Sequence, residues 1–469
     1  MNKQELYRSI PKVDRLMEGA VCTRLVELYG EPLVLSCVRD VLEDLRRMIG
    51  ETDSCDIDVG YDRIEQDVCQ RVGNTVQPGL KKVINATGTI LHTNLGRAPI
   101  GREIAESALD TITGYTNIEY DLQTGQRGPR GGRCEELLMR LTGAQDALVV
   151  NNNAAAVLLI LHTLGQGYEV IVSRGELVEI GGHFRIPDVM QASGCTLREV
   201  GTTNKTRVED YRAAINDKTA ALMKVHTSNY RIVGFTDVVS TAELADLAHE
   251  HDLPMIEDLG SGALADLAGM GIGAEPTVQD CVGDGADLIC FSADKLLGGL
   301  QAGIILGKGK IIDKLRHHPM MRALRTDKFT AAVLERTLIA YLNDDQAMRD
   351  IPVLAMAGAT EKQLQDKAVR LADELRAICG QKEDAGMKIS VEPLVDQIGG
   401  GALPLEELPG YGVRISGSSP AGEEVRAQLM EGAQPVVPRF HEGDLLLSVR
   451  TIDEDDFADL CKKVSAVRW

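Results

Sequence analysis

One lysine follows an apolar run in which a buried cation would be costly. The segment DLICFSADKLLGG (residues 287–299) delivers Asp294 and Lys295 from a strand-like run to a loop with two glycines. A lysine amine becomes favourable in such surroundings when it forms an imine with a carbonyl cofactor. A lysine that only pairs with Asp294 on a surface turn would show the same pattern. This segment alone therefore leaves both interpretations open.

A second strand-like run, PMIEDLGSG (254–262), ends in an acidic residue, Asp258. One helical pattern and one strand separate Asp258 from Lys295, which suits adjacent strands of a sheet. Pyridoxal phosphate (PLP) needs an acidic partner at its pyridine nitrogen, because the protonated ring is the better electron sink. An isolated aspartate at a strand end more often caps a helix. Its combination with Lys295 favours the cofactor interpretation.

A third strand-like run passes directly into an alanine-rich helical pattern. In ALVVNNNAAAVLLIL (147–161) the junction is formed by Asn151, Asn152 and Asn153. Backbone amides at a helix N-terminus bind phosphate, although these asparagines could also act only as helix caps. The polar end of AALMKVHTSN (220–229) adds Asn229 as a cofactor-binding candidate. A phosphate site, a ring partner and a covalent lysine thus follow one another along the chain.

Signatures of other enzyme classes are missing from the sequence. It contains no G-x-x-x-x-G-K-[ST] phosphate loop, no G-x-G-x-x-G and no nucleophile elbow. Ten cysteines are scattered without a C-x-x-C pair, and His249-Glu250-His251 is typical of a solvated helix end, so we expect no metal site. The formal net charge of −20 argues weakly against non-specific nucleic-acid binding.

The elements that must position these residues indicate an α/β protein. From Val83 onward, strand-length apolar runs alternate with helical patterns, which predicts a mostly parallel sheet covered by helices. We predict a helical N-terminal domain (1–80), a large α/β domain (81–345) and a small α+β C-terminal domain (346–469). No apolar run approaches the ~20 residues of a membrane helix, and the N-terminus lacks a secretory signal. A cytoplasmic location is therefore expected, without a membrane partner.

Seven stretches of the chain, in order, resemble the bacterial selenocysteine synthase family, the L-seryl-tRNA(Sec) selenium transferases. They are VINATGTILHTNLGRAP (83–99), VVNNNAAAVLL (149–159), SRGELVEIGGHFRIPDVM (173–190), EVGTTNKT (199–206), FSADKLLGGLQAG (291–303), RALRTDK (322–328) and GGGALPLEELP (399–409). So many matches in one order are far more specific than any single motif.

The resemblance implies a PLP enzyme of the aminotransferase-like fold (fold type I) that makes selenocysteinyl-tRNA(Sec) from seryl-tRNA(Sec) and selenophosphate. It implies a homo-oligomer, a decamer-like ring of dimers, whose N-terminal domain binds the tRNA. Lys295 corresponds to the Schiff-base lysine and Asp294 to its neighbour in the motif. Arg97, Arg322 and Arg325 correspond to the arginines that bind the selenium donor. On a helix, Arg322 and Arg325 would share one face.

The sequence departs from the family pattern at three positions. Ala293 and Leu300 replace a glycine and a proline that shape the lysine loop, and His183 stands where serine is common. The three arginines in QRGPRGGRCEE (126–136) either bind phosphate or are solvent-exposed residues of a loop. Arg450 is either a substrate anchor or part of a structural ion pair.

Two other functions remain open from the sequence. A PLP-dependent lyase of the same family would act on a small amino acid or an amino sugar phosphate. A tRNA-binding assembly protein that has lost catalysis is the non-enzymatic alternative. The presence of residues 1–80 favours the tRNA-dependent enzyme over the lyase.

Overall fold

A computed structural model of the protein describes residues 3–51, 57–182, 184–383, 387–417 and 422–467. His183 lies outside these ranges. The chain divides into two compact units, Met1–Lys82 and Val83–Trp469. Within the described ranges, no helix has both the length and the apolar character needed to cross a membrane.

The first unit is helical. Its described helices are α1 (Lys3–Ser9), α2 (Val13–Met17), α3 (Ala20–Tyr29), α4 (Glu31–Glu51) and α5 (Tyr61–Val76). Gly30, with a left-handed φ of 85°, separates α3 from α4. Apolar side chains of all five helices, among them Leu16, Val38 and Val68, form one buried cluster.

The second unit begins with an α/β region that alternates strands and helices. Its elements are β1 (Ile84–Ala86), β2 (Thr89–Leu91), α6 (Arg102–Thr113), α7 (Gly132–Thr142), β3 (Asp146–Val150), α8 (Asn153–Gly165), β4 (Glu169–Ser173), β5 (Glu179–Ile180), β6 (Phe184–Arg185), α9 (Ile186–Ser193), β7 (Thr196–Val200), α10 (Val208–Ala214), β8 (Thr219–Val225), α11 (Thr241–Glu250), β9 (Met255–Gly260), α12 (Val278–Gly283), β10 (Leu288–Ser292), β11 (Gly303–Gly307), α13 (Gly309–Arg316), α14 (Met321–Leu324) and α15 (Lys328–Ala340).

The rest of the second unit carries longer antiparallel strands. Its elements are α16 (Asp344–Asp350), α17 (Pro352–Ala357), α18 (Glu361–Glu383), β12 (Lys388–Gly399), β13 (Glu407–Ser416), α19 (Gly422–Met430), β14 (Val436–His441), β15 (Asp444–Ser448) and α20 (Phe457–Ala466).

Seven strands form the large sheet, in the order β3-β11-β10-β9-β8-β4-β7. Only β11 runs antiparallel to its neighbours, so the sheet is mostly parallel, as predicted. Alternate residues of a strand point to opposite faces. In β3, Val149 packs into one buried cluster and Leu148 into another, and Ile289 and Leu288 of β10 divide in the same way. Apolar clusters thus cover the sheet on both faces.

Six strands form the second sheet, in the order β1-β14-β15-β13-β12-β2. Its two edge strands, β1 and β2, come from residues 84–91, which sequence patterns assigned to the large domain. β1 pairs parallel with β14, Ile84 opposite Val436, and β2 pairs parallel with β12. These three-residue strands are too short to show an apolar alternation, which explains why the sequence did not place them.

Arg450 belongs to the interior of this second sheet. Its Nε donates to Asp396 Oδ2 at 2.9 Å, and its two terminal nitrogens donate to the backbone carbonyls of Met356 and Pro409. Arg439 also pairs with Asp396, at 3.0 Å. Of the two interpretations left open by the sequence, the structural ion pair is the one observed.

Candidate active site

A cavity of about 240 Å³ surrounds Lys295. It lies where β8, β9 and β10 end and α8 begins, the edge of a parallel sheet at which ligands bind in this class of fold. Its lining residues are Arg97, Asn152, Asn153, Ala154, Ile180, Gly181, Phe184, Val225, His226, Ser228, Asp258, Gly260, Ser292, Asp294, Lys295 and Gln301.

Lys295 is buried, with only 5 % of its surface exposed. Within the described part of the chain, no hydrogen bond or ion pair reaches its Nζ. Burial lowers the pKa of this amine, and Arg97 acts in the same direction, against Asp258, Asp294 and Glu275. An amine held in this way is uncharged more readily than an ordinary lysine, which is the state needed for nucleophilic attack.

Gly401, just after β12, lies directly against the Lys295 amine. Gly401 has a left-handed φ of 94°, and a Cβ atom added there would lie 2.6 Å from Lys295 Nζ. Neither the backbone conformation nor the space suits a side chain. The GGGALPLEELP segment therefore contacts the lysine through Gly401.

Asp258 is buried at the end of β9, the strand next to the one that leads to Lys295. In the register of β9 and β10 it lies opposite Cys290. Asn153 Nδ2 donates to its Oδ1 at 2.8 Å, and Cys290 Sγ lies 3.7 Å from the same oxygen. Burial raises the pKa of Asp258, while Asn153 and Lys295 oppose that change.

The three asparagines at the start of α8 have different surroundings. Asn152 is the helix cap, and its side chain accepts from Ala155 N at 2.9 Å. Asn153 lines the cavity and reaches Asp258. Asn151 is absent from the lining; its side-chain oxygen faces Gln301 Nε2 at 3.4 Å. The cavity thus meets the N-terminal turn of α8 through Asn152, Asn153 and Ala154.

Arg97 enters the cavity with a strained backbone. It is one of four non-glycine residues with positive φ in the described ranges, at 64°. Its Nη1 donates to Asp294 Oδ2 at 2.9 Å, and Ala98 N donates to the carbonyl of Asp294 at 3.2 Å. Asp294 is therefore the residue that holds Arg97 beside Lys295.

Arg322 and Arg325 do not join Arg97. They line a second cavity of about 360 Å³, together with Arg127, Arg130 and Arg316. They also do not share a helix face, because α14 ends at Leu324 and the extended backbone of Arg325 pairs with Val150. The second cavity is the more basic of the two.

The loop arginines of QRGPRGGRCEE contact acidic side chains. Arg127 and Arg130 pair with Glu119 at 3.1 and 2.8 Å, and Arg325 approaches the same carboxylate at 3.5 Å. Arg133 pairs with Glu136 at 3.0 Å. Of the three, Arg127 and Arg130 line the second cavity.

Asn229 lies outside the lining of the lysine cavity. It is exposed, and its side chain donates to the carbonyl of Glu179 at 2.9 Å. The two substitutions in the lysine loop are accommodated. Ala293 is buried without a positive φ, so the loop does not need glycine there, and Leu300 packs against the core.

Sequence patterns missed two polar residues of this region, His226 and Glu275. His226 lines the cavity just after β8, and its Nδ1 lies 3.6 Å from Oε1 of the buried Glu275. The strand β8 gives no sign of this contact, since Glu275 is far away in sequence between β9 and α12. An acidic residue in the otherwise apolar and glycine-rich GMGIGAEP was the only available signal.

The profile described as "L-seryl-tRNA selenium transferase" matches residues 83–453, and that described as "Selenocysteine synthase N terminal" matches residues 7–46. The chain belongs to the L-seryl-tRNA selenium transferase family.

Relatives in this family match the chain over nearly its whole length. The chain is 45 % identical to the L-seryl-tRNA(Sec) selenium transferase of Geobacter sulfurreducens, over 96 % of this chain and 97 % of the relative. It is 46 % identical to that of Solidesulfovibrio magneticus, over 97 % and 96 %. Among solved structures, D-glucosaminate-6-phosphate ammonia-lyase has a TM-score of 0.57 and 22 % identity over 82 % of this chain and 95 % of that chain. This likeness concerns the fold, and the predicted PLP fold type I is confirmed.

Pyridoxal phosphate is the cofactor of this transferase family, and the residues of the lysine cavity fit it. Four buried polar atoms without a hydrogen-bond partner in the described residues belong to its lining. They are Asn153 Oδ1, Ser228 Oγ, Asp294 Oδ1 and His226 Nδ1. Buried polar groups are normally satisfied. Together with Lys295, which also lacks a partner, they form a polar cavity suited to a polar ligand.

Proposed function

We propose that this chain converts L-seryl-tRNA(Sec) to L-selenocysteinyl-tRNA(Sec), with selenophosphate as the selenium donor. The observation that carries this proposal is a buried lysine without a partner, next to a buried aspartate, in a chain similar to these transferases along its length. The net change replaces the Cβ–O bond of the seryl group by a Cβ–Se bond, while water cleaves the Se–P bond of the donor and phosphate is released. The hydroxyl leaves with a proton as water.

PLP, when bound, supplies a ring that accepts the electron pair released at the seryl Cα. We assign its covalent attachment to Lys295 Nζ, its ring nitrogen to Asp258 and its phosphate to the N-terminus of α8 with Asn152 and Asn153. Lys295, once released, removes the Cα proton and later returns it. The lowered pKa of Lys295 increases the unprotonated share of the amine for this step.

Arg97 is assigned to the selenium donor inside the lysine cavity. Guanidinium groups bind tetrahedral oxyanions through paired hydrogen bonds. Asp294 keeps Arg97 in place through the 2.9 Å ion pair. We assign Arg322 and Arg325 to a separate anion site for the donor in the second cavity, where Arg127, Arg130 and Arg316 add positive charge.

The N-terminal unit is assigned to the body of the tRNA. The match of residues 7–46 to the selenocysteine synthase N-terminal profile supports this assignment. We extend the proposal to the family's homo-oligomeric ring of dimers and to a cytoplasmic location, where aminoacyl-tRNA is found. Within this scheme, residues 1–80 bind the tRNA and residues 81–345 bind the cofactor. Residues 346–469 complete the fold.

The test is the conversion of seryl-tRNA(Sec) by purified, PLP-loaded protein with selenophosphate, with seryl-tRNA(Ser) as the control. We expect selenocysteinyl product from the first substrate only. If neither substrate is converted while PLP stays bound to Lys295, the proposal is wrong and the small-molecule lyase becomes the better interpretation. A protein that binds tRNA but never becomes yellow with PLP would instead support the non-enzymatic alternative.

A further inference from the structure

His226 and Glu275 form a buried pair at the wall of the lysine cavity. The side chain of Glu275 is 3 % exposed and that of His226 is 23 % exposed. Glu275 Oε1 and His226 Nδ1 are 3.6 Å apart, and neither has a hydrogen-bond partner among the described residues. A small movement of either side chain would close this gap to a hydrogen bond. His226 lines the cavity and Glu275 does not, so the carboxyl lies behind the imidazole.

The charges around the pair favour a neutral histidine next to a carboxyl that holds a proton. Burial lowers the pKa of His226 to about 4, with Lys224 and Lys295 acting in the same direction and the Leu259 carbonyl opposing them. Burial raises the pKa of Glu275 to about 7, against Ser261 and Lys295. Near neutral pH a protonated Glu275 carboxyl and a neutral imidazole with one ring proton can therefore coexist in the pair.

We propose that Glu275 and His226 form a proton relay that delivers a proton to the departing seryl hydroxyl, an inference that rests on the transferase function proposed above. Nδ1 is the ring nitrogen that faces Glu275, so the relay assigns to Nε2 the transfer to the seryl hydroxyl. Apart from Lys295, no residue assigned above supplies this proton.

The proton balance of the relay is simple. Before the step, Glu275 is protonated and donates to Nδ1, and Nε2 carries the single proton of the neutral imidazole ring. As the Cβ–O bond breaks, the oxygen keeps the bonding electrons and takes the Nε2 proton, so that water leaves. The Glu275 proton moves to Nδ1 at the same time. The carboxylate that remains accepts from Nδ1–H, and a proton from solvent later restores the pair.

The experiment follows two events in the PLP-loaded protein with seryl-tRNA(Sec) and no selenium donor. The first is loss of tritium from the seryl Cα, which reports removal of the Cα proton by Lys295. The second is formation of dehydroalanyl-tRNA, which reports loss of the hydroxyl. In Glu275→Gln we expect the first to stay within about threefold of wild type and the second to fall about 100-fold, the scale of general acid catalysis.

Glutamine separates a relay from a structural support. The amide of Glu275→Gln still donates to His226 Nδ1 and keeps the ring in place, but it has no acidic proton to pass on. His226→Gln should show the same loss, and the double variant should be no slower than the slower single variant, because the two residues act as one unit. Hydroxyl loss at the wild-type rate in Glu275→Gln would overturn the relay.

Glu257→Gln is the matched control, since Glu257 is also a buried carboxyl whose pKa burial raises, to about 8, and it lies outside the lining of the cavity. In Glu257→Gln, both the release of tritium and the loss of the hydroxyl should proceed at the wild-type rate. A similar loss of hydroxyl departure in Glu257→Gln would also overturn the relay. If wild type itself releases no tritium, the transferase proposal fails, whatever the variants do.

A second measurement does not depend on turnover. Asp258, Asp294 and Glu275 all raise the pKa of Lys295, and Arg97 lowers it. Above the pKa of Glu275, about 7, its carboxyl is ionised, so its replacement by glutamine should lower the pKa of the imine that Lys295 forms with the cofactor, read from the visible absorbance. Glu257→Gln should leave that pKa unchanged. An unchanged midpoint in Glu275→Gln would remove the electrostatic link between the relay and the lysine, and would count against the proposal.

Discussion

Replacement of Gly401 by alanine separates the cost of backbone strain from the cost of crowding Lys295. At Gly401 the new Cβ would lie 2.6 Å from Lys295 Nζ, about 1 Å closer than favourable contacts between heavy atoms. Gly443, in the turn between β14 and β15, is a matched control. Its φ of 90° is close to the 94° of Gly401, but a Cβ there meets nothing within 4 Å.

Both variants should lose roughly 1–2 kcal/mol of unfolding free energy, the cost of a left-handed L residue. The lysine end is flexible and can move away, so crowding adds little to that loss. A displacement of about 1 Å at a reacting atom nevertheless costs on the order of 100-fold in rate, equivalent to about 2.7 kcal/mol. We therefore expect covalent cofactor attachment to slow about 100-fold in Gly401→Ala alone.

Attachment is measured by adding PLP to the cofactor-free protein and trapping the lysine adduct with borohydride at successive times. Urea unfolding of the same samples gives the stability of each variant. Equal attachment rates in Gly401→Ala and Gly443→Ala would refute the reasoning, because backbone strain would then account for the whole effect on cofactor attachment. A larger stability loss in Gly401→Ala would show that the lysine cannot move away.

Three further predictions concern charged groups. Lys295→Ala should abolish borohydride-trapped cofactor and slow conversion of seryl-tRNA(Sec) by at least about 100-fold, and a normal rate would exclude the proposed role. Arg97→Ala should raise the KM for selenophosphate more than that for seryl-tRNA(Sec), and equal changes in both KM values would argue against a donor site. Because the positive charge of Arg97 disfavours a second positive charge at Lys295 Nζ, the same variant should raise the pKa of the imine between Lys295 and the cofactor, measured by the pH dependence of cofactor absorbance. Burial raises the pKa of Glu257 from 4.5 to about 8, so its contribution to stability is fully present below about pH 4.5 and is lost as pH rises to 8. Glu257→Gln should therefore flatten the fall in urea midpoint between about pH 5 and 8, and a parallel fall in both proteins would contradict this.

The sequence predicted those parts of the fold that have a strong local signal. Strands such as β9 and β10 are continuous apolar runs that end in polar residues, so both their existence and the adjacency of Asp258 to Lys295 followed from local pattern. The three-residue strands β1 and β2 have no such pattern.

The site was predictable only where the chain itself carries the information. Motif resemblance led to Arg97, Arg322 and Arg325, but their separation into two cavities depends on the extended backbone of Arg325 against Val150. The approach of Glu275 to His226 joins two loops of different strands. No local pattern encodes such a contact, because neither residue has an unusual neighbour in sequence.

The pairing of β1 with β14 has a consequence for the order of folding during synthesis. Ile84 leaves the ribosome long before its partner Val436, and β2 likewise waits for β12. Contacts between such distant residues form late, because closing a long loop costs entropy before the contact repays it. The loop that carries Arg97 follows β2 directly and is anchored by it. A nascent chain can therefore build the large sheet early, but we expect it to stay without a finished active site until its last strands have emerged.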